Sequence, residues 1–453
     1  MKVSDIIKCT NGTLLSGDME YFVDGFSIDS RTINNCDIFI AIKGDKFDGN
    51  KFVNDILNSD SVGVIFDGNL NINLNKYNNK IIIKVKDSLK ALQSMAKYKR
   101  SLYDIPVVAI TGSVGKTSTK DIVASVMSLK YNVLKTEGNH NNHIGLPLTL
   151  LKLKNHNAMC IEMGMNHFGE ISLLTDILKP TIAVITNIGT AHIGNLGSRE
   201  NILKAKMEIL EGLEDKGVVI INNDDDLLNK WNINNNKYNV ITYGINNNSD
   251  YMGTFIEENI NSSSFKLNNT KDIYVPVAGR HFIYNSLCAI SVGKVLNIDI
   301  EDIVTGIKNF HLSKSRMENI DLNDGIRIIS DCYNANYDSM KASLEILGKY
   351  KTRKIAVLGD MLELGEYSRS LHSKIGYLVD KNNIDILICV GNLSKNIYDN
   401  TTINDKYLCN DNNEAENILD SIIKQDDVIL FKASNSMKFI DIVNYFVNKY
   451  KKY

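Results

Sequence analysis

Long apolar runs, paired cysteines and an excess of either charge are all missing from this sequence. No stretch approaches the roughly 18 consecutive apolar residues of a membrane span, so no transmembrane helix is expected. Residues 1–11 carry neither an apolar core nor a cleavage-like site, so no signal peptide is expected and the chain reads as cytoplasmic. There is no Cys-x-x-Cys pair. The seven cysteines are scattered and odd in number, which excludes a disulfide framework or a structural zinc site and reads as reduced thiols packed as small hydrophobes. Lys plus Arg is 51 against 53 for Asp plus Glu, a net charge of −2. That balance argues against a nucleic-acid coat or a polybasic membrane surface, while leaving room for a local cationic pocket for a phosphorylated small molecule. Proline occurs only four times. With the Asn-rich loops at 69–79, 232–248 and 259–269, this reads as compositional bias.

Hydrophobic residues make up 43% of the 453 positions, enough apolar material for several cores. At roughly 150 residues per domain, three domains are expected. The first block, 1–100, has short β-rich runs at 38–42, 62–66 and 81–83 and ends in a helix over 88–103. The second, 101–311, opens on the continuous apolar run 105–110, as in a strand buried on both faces of a parallel sheet. Strand-like runs at 158–162, 181–186, 218–221 and 240–243 alternate with helical stretches and predict βαβ units. Residues 250–277 alternate in polarity and read as antiparallel, and a helix over 284–296 closes the block. The third, 312–453, has runs at 326–330, 354–358, 384–390 and 428–431 with helices between them, which predicts a smaller doubly wound, Rossmann-like sheet. The fold class expected is α/β in three domains.

The strongest local motif is Thr111-Gly112-Ser113-Val114-Gly115-Lys116-Thr117-Ser118, set between the buried run and a helical stretch, 116–129. Glycines let the backbone approach phosphate oxygens, and loop amides and the helix N-terminus point at the anion. Lys116 is placed to neutralise terminal phosphates, and the Thr117 hydroxyl to ligate Mg²⁺. The match to the full pattern is incomplete, because Ile110 stands where its first glycine belongs. Glu162 ends a buried strand, at the edge where carboxylates face the ligand crevice, and reads as a Mg²⁺ ligand. His192 follows the strand 182–186 and lies at the same edge. From its own surroundings Lys206, in a helix-like stretch over 202–213 that otherwise looks solvated, reads as a surface lysine.

Taken together, further segments resemble the Mur ligases of peptidoglycan synthesis, and within them the dipeptide-adding branch. They are Thr136 to Pro147, Glu162-Met163-Gly164-Met165-Asn166, Asn187-Ile188-Gly189-Thr190-Ala191-His192, Ala205-Lys206-Met207-Glu208, Gly279-Arg280-His281 with Asn285, Asp331-Cys332-Tyr333-Asn334-Ala335-Asn336, and Gly359-Asp360-Met361 with Glu363-Leu364-Gly365 and His372. They run in family order over most of the chain. The resemblance implies that Gly112, Ser113, Val114, Gly115, Lys116, Thr117 and Ser118 cradle ATP. It implies His281 and Asn285 around the adenine, and Arg316 and Asp331 reaching the nucleotide from the third domain. Thr117, Glu162 and His192 match metal ligands for two Mg²⁺ ions, and Lys206 matches a lysine that the family carbamylates with CO₂. Lys116, His192 and Lys206 are thereby the catalytic candidates. Ser30, Arg31, Lys43 and Gly44, with Asp45, resemble a nucleotide-sugar pocket. Asn141 and Asn142 match a loop near the muramoyl-peptide substrate, and Asn334 and Asn336 a motif near the dipeptide site.

The chain departs from the family at Cys36 (usually Gly), Phe282 (Asn), Tyr337 (Pro), Ala433 (Gly) and Asn435 (Arg). The last change removes a planar bidentate donor. The activity implied is ATP-driven joining of D-Ala-D-Ala to UDP-MurNAc-tripeptide through an acyl phosphate, by a monomer with no nucleic-acid partner and no membrane insertion. Three alternatives stand beside it: the tripeptide-forming Mur enzyme or a folylpolyglutamate synthase, a non-catalytic nucleotide-binding paralogue, and a P-loop kinase or GTPase. No convincing Asn-Lys-x-Asp guanine motif supports the last.

Overall fold

The computed structural model describes residues 1–44, 47–69 and 72–450. Three sheets follow one another along the chain. The first has the strand order Thr13–Ser16, Ile81–Lys84, Gly63–Phe66, Asp37–Ile40, Gly25–Ser27, and only Thr13–Ser16 runs antiparallel to its neighbour. The second has nine strands. At its centre Val107–Thr111 lies between Ala158–Glu162 and Ile182–Ile185, all parallel. These strands are apolar along their length because helices cover both faces. The far edge, Tyr251–Glu258, Ser263–Leu267 and Lys271–Val275, is antiparallel, as the alternation predicts. The third sheet has six strands, with Val428–Lys432 between Arg327–Ser330 and Lys354–Gly359.

The expected α/β architecture is therefore present, with differences of detail. The helix read over 284–296 is Arg280–Val295; it starts earlier because Gly279, at φ 114°, breaks the chain there. The stretch 202–213 is not a solvated helix. It is a helix, Arg199–Met207, followed by a 3₁₀ turn, Glu208–Leu210, and Ile202, Ala205, Lys206 and Ile209 are all buried. Those positions form one inward stripe at helical spacing, with a lysine in it. Helices Ile300–Lys308, Asn412–Ile422 and Phe439–Lys449, and strands Glu318–Asp321 and Lys406–Cys409, also went unread. All seven cysteines are free, and five are buried. Among the described residues no helix is long and apolar enough to cross a membrane.

Helix Ser88–Ser101 joins the first and second sheets. Its Arg100 is buried and caps the end of helix Glu170–Leu178, donating to the carbonyls of Leu178 (2.7 Å) and Lys179 (2.9 Å). The third sheet's domain is docked on the second. Thr190 donates from its N–H and hydroxyl to Asp338 Oδ2, both at 3.0 Å. Gly194 N–H donates to Glu363 O at 3.1 Å, and Tyr367 Oη to Gly197 O at 2.8 Å. Lys349 pairs with Glu258 across the same boundary.

The closest approach in this docking is backbone to backbone. A Cβ on Gly194 would fall 2.5 Å from Gly365 N and 2.7 Å from Glu363 O. Such overpacking costs about 1–3 kcal/mol, on the order of tenfold in an equilibrium. Gly194→Ala is thus expected to leave the domains folded and to shift the chain toward an undocked form, read as a larger radius of gyration in small-angle scattering. An unchanged radius would show that this contact does not hold the domains together.

Candidate active site

The loop 112–115 is shaped by its glycines and clamped by the next strand end. Gly112, at φ 151°, passes so close to Thr186 that a Cβ would meet its hydroxyl at 1.9 Å; Gly115, at φ 83°, opens helix Lys116–Met127. No side chain caps that helix, so its first N–H groups are free for an anion. Asn187 holds the loop from the side: its Oδ1 accepts from Val114 N–H and its Nδ2 donates to Val114 O, both at 2.9 Å. Lys116 Nζ folds back onto Gly112 O at 2.8 Å.

Thr117 and Glu162 meet as expected, the hydroxyl donating to Oε2 at 2.9 Å. Asn141 Nδ2 donates to the other oxygen, Oε1, at 2.7 Å, so the muramoyl-loop candidate orients the carboxylate. Asn142 Oδ1 accepts from Ile144 N–H (3.1 Å) and Gly145 N–H (2.9 Å), where helix Gly145–Leu151 begins. From the third domain Arg316 Nη2 donates to Thr117 Oγ1 at 3.1 Å, and its guanidinium lies 3.8 Å from the Tyr333 ring centroid. His192 Nδ1 is 2.7 Å from Glu363 Oε2. Asp331 is bound by Lys432 and Ser343. Burial works to raise its carboxyl, but Lys432 holds it below the usual range.

Three cavities meet around this loop. One, of about 240 Å³, is lined by residues including Lys116, Thr117, Glu162, His192, Arg316 and Asn334. A second, of about 580 Å³, takes in Val114, Ser118, His281, Arg316 and Asp331. A third, of about 290 Å³, lies between His192 and residues 334–336, 362–364 and 434–436. Lys206 lines none of them, yet its charge is felt by His192. It is buried, and among the described residues nothing accepts a hydrogen bond from its ammonium. Burial, then Lys116, holds it well below the ordinary lysine range. Burial lowers Lys116 and His192 as well, and takes His281 to about 4.

The site fits a nucleotide with divalent ions. The Ser113 hydroxyl, Asn285 Nδ2 and Arg316 Nε are buried donors without partners among the described residues, as expected of groups that bond a ligand. Asn285 stands against Gly115 and accepts from Thr119 Oγ1 at 3.1 Å. Among the described residues no three His, Cys, Asp or Glu side chains converge as a complete cage. Thr117 with Glu162, and His192 on the other side, would each supply part of a shell that phosphates complete.

The remaining candidates lie elsewhere or are already occupied. Asn336 Oδ1 caps helix Tyr337–Leu347 in a capping box with Ser339, and Tyr337 takes the first helical position. Asn334 Oδ1 accepts from Ala335 N–H. Ser30, Arg31, Lys43 and Gly44 belong to the first domain and line none of the three cavities. Arg31 forms a bidentate pair with Asp29. Asp45 lies outside the described residues. No local sequence pattern marks Asp338 and Glu363 as site residues; each comes from the third domain, and only the docked geometry brings them to Thr190 and His192.

Three family models match the chain: Mur ligase family, catalytic domain (residues 23–100), Mur ligase middle domain (110–293) and Mur ligase, glutamate ligase domain (315–435). The chain is 35% identical over 452 residues to the UDP-N-acetylmuramoyl-tripeptide–D-alanyl-D-alanine ligase of Bacillus subtilis, covering 97% of each chain. It is 32% identical over 397 residues to the Escherichia coli protein of that name, covering 86% of each. Among solved structures, MurF from Acinetobacter baumannii superposes with a TM-score of 0.90 at 28% identity, over 99% of this chain and 98% of that one. MurF ligase from Thermotoga maritima in complex with ADP gives 0.83 at 26%, over 94% and 98%.

A buried lysine without an acceptor has a stability signature. The unfolded chain binds a proton that the folded chain does not, so stability rises as pH climbs toward the ordinary lysine value of 10.5. Lys206→Met removes this linkage. It is expected to stabilise the ligand-free protein by on the order of 1–3 kcal/mol near neutral pH, with the gain shrinking toward about pH 10. Denaturant melts at two pH values check this; a destabilised variant would show that Lys206 is paired in the folded chain.

Proposed function

The chain belongs to the Mur ligase family, and from that premise we propose that it is the ATP-dependent ligase adding D-Ala-D-Ala to UDP-MurNAc-tripeptide in peptidoglycan precursor synthesis. The observation that carries this reading is the convergence of Lys116, His192 and Arg316 from two domains on cavities beside Thr117 and Glu162. That arrangement demands several negative charges from its ligands, as a triphosphate and an acid substrate bring.

The chain divides near residues 100 and 311 into domains for the UDP end, for ATP and for the dipeptide. A carboxylate is a poor electrophile. Its oxygen attacks the γ-phosphorus of ATP, giving an acyl phosphate and ADP. The dipeptide amine then attacks the acyl carbon, the amide forms, the nitrogen sheds a proton, and inorganic phosphate leaves. Such transfers need charge neutralisation and alignment more than covalent help. Loop amides 113–118 and Lys116 neutralise the transferring phosphoryl group, and Arg316 approaches it from the third domain. Two divalent ions, the first held by Thr117 and Glu162 and the second by His192 and modified Lys206, would neutralise phosphate charge and lessen its repulsion of the substrate acid.

Lys206 supports the modification. A buried amine without an acceptor is held neutral, the form whose lone pair adds to CO₂. The nitrogen sheds a proton as the N–C bond forms, and the carbamate that results places an anionic oxygen ligand beside Lys116 and His192. The docked third domain excludes water, which would hydrolyse an acyl phosphate.

The assay is phosphate release with ATP, UDP-MurNAc-tripeptide and D-Ala-D-Ala, each omitted in turn. Release is expected only in the full mixture. Release that ignores the dipeptide would point to an ATPase or kinase, and none in any mixture to a non-catalytic protein. Lys206→Ala is expected to lose on the order of a hundredfold in kcat and to regain part of it with a short added carboxylate. Full activity in the plain variant would remove Lys206 from the mechanism.

A further inference from the structure

The carboxylate of Glu363 is placed with unusual force for a residue on a loop. Residues 360–365 are anchored from behind within the third domain: Met361 N–H donates to His372 Nε2 and Leu362 N–H to Ser434 Oγ, both at 2.9 Å. From the front, Glu363 O accepts from Gly194 N–H of the second domain. Between these anchors Glu363 sits at φ 65°, in the left-handed region that non-glycine residues seldom occupy. Strain of this kind persists only where the surroundings impose it, and it gathers at functional sites.

Oε2 of that side chain stands 2.7 Å from His192 Nδ1. Nδ1 is buried and has no other partner, and the contact is at ion-pair distance rather than on a straight N–H···O line. A small turn of either group completes it. A carboxylate only accepts, so the proton of the neutral ring belongs on Nδ1 and the lone pair on Nε2. Nε2 makes no hydrogen bond to any described residue. This is the arrangement in which a histidine ligates a metal through one nitrogen while a carboxylate on the other fixes its tautomer and aim.

We propose that Glu363 of the third domain is a positioning residue for His192 of the second, so that the second divalent-ion site is complete only when the two domains are docked. The inference rests on the reading of His192 as a ligand of that ion. It couples two events that would otherwise be independent. In the undocked chain the imidazole lacks its partner and the second ion is held weakly. Docking, which brings Glu363 over Gly194, sets the ring and tightens the site.

Mn²⁺ is the probe, titrated by electron paramagnetic resonance against the full-length protein with a non-hydrolysable ATP analogue and UDP-MurNAc-tripeptide. Glu363→Ala is expected to weaken the second Mn²⁺ about tenfold to a hundredfold and leave the first unchanged. Glu363→Gln, whose amide oxygen accepts the same N–H, is expected to stay within about threefold of the parent. Gly194→Ala, which touches no ligand, is expected to weaken the second ion as it undocks the domains. His192→Ala separates the two ideas. If it leaves the second ion's affinity unchanged, the ligand reading fails and the inference with it. If His192→Ala weakens that ion and Glu363→Ala does not, the inference alone is overturned. A Gln variant as weak as the Ala variant also overturns it, since the carboxylate would then serve in some way other than accepting the ring proton.

Discussion

A cluster of cationic side chains at the phosphate loop, only partly offset by Glu162 and Glu363, is the constraint around which the site is organised. Other buried lysines are paired: Lys120 with Asp121 at 2.9 Å and, at the edge of the site, Lys432 with Asp331 at 2.5 Å. Around the phosphate loop the rule is suspended. Among the described residues Lys116 donates only to a loop carbonyl, Lys206 makes no side-chain hydrogen bond or ion pair, and Arg316 leaves its Nε unbonded. Two unit charges about 4 Å apart interact by roughly 4 kcal/mol at the dielectric typical of such sites. Desolvation, with repulsion among these cations, makes the ligand-free site costly, and anionic ligands relieve that cost directly. Burial first, with a smaller contribution from neighbouring cations, pushes Lys116, His192 and Lys206 toward their neutral forms.

The fold supplies this constraint from two directions. The central parallel strands end at Thr111, Glu162 and Ile185, which sets the phosphate loop and the metal carboxylate side by side at one sheet edge. The third domain contributes what one sheet cannot. Arg316 reaches Thr117, Asp338 holds Thr190, and Glu363 meets His192. Each contact joins a third-domain side chain to a loop that follows a second-domain strand or to the phosphate-loop helix. Docking therefore assembles the site as well as sealing it.

Much of this was legible in the sequence because it is local. A buried apolar run followed by a glycine loop and Lys-Thr specifies strand, turn and helix within one segment, and Glu162 could be placed from the end of its own strand. Lys206 was misread from its immediate neighbours, although the i, i+3, i+4 stripe of Ile202, Ala205 and Lys206 held the signal: a charged residue where the period calls for an apolar one. Asn142 and Asn336, expected near the substrates, also spend their oxygens on backbone N–H groups at helix starts, a use that Asn serves equally well. What no local pattern contains is the pairing of Glu363 with His192 or of Asp338 with Thr190. Those residues lie 171 and 148 positions apart, and they meet only through the relative placement of two separately folded sheets.

The departures from the family pattern can be judged by the same physics. Loss of an arginine at position 435 would leave the site short of a planar donor if that position faced the ligand alone. Asn435 instead turns its Nδ2 to the carbonyl of Tyr333 at 3.0 Å, and the Tyr333 ring supports the Arg316 guanidinium. The shorter side chain thus works through the loop that carries Arg316's stacking partner. Tyr337 in place of proline is absorbed in a comparable way. At the first turn of a helix a proline's fixed φ is an advantage, but the capping box of Asn336 and Ser339 already pins that turn. Asn435 exchanges a charged group for a hydrogen bond to the backbone, and at Tyr337 the neighbouring capping box holds the turn that a proline would have stiffened. Asn435 and Tyr337 thus adjoin backbone that other bonds also hold, whereas Gly112, Thr117 and Glu162 form the charge-bearing centre itself.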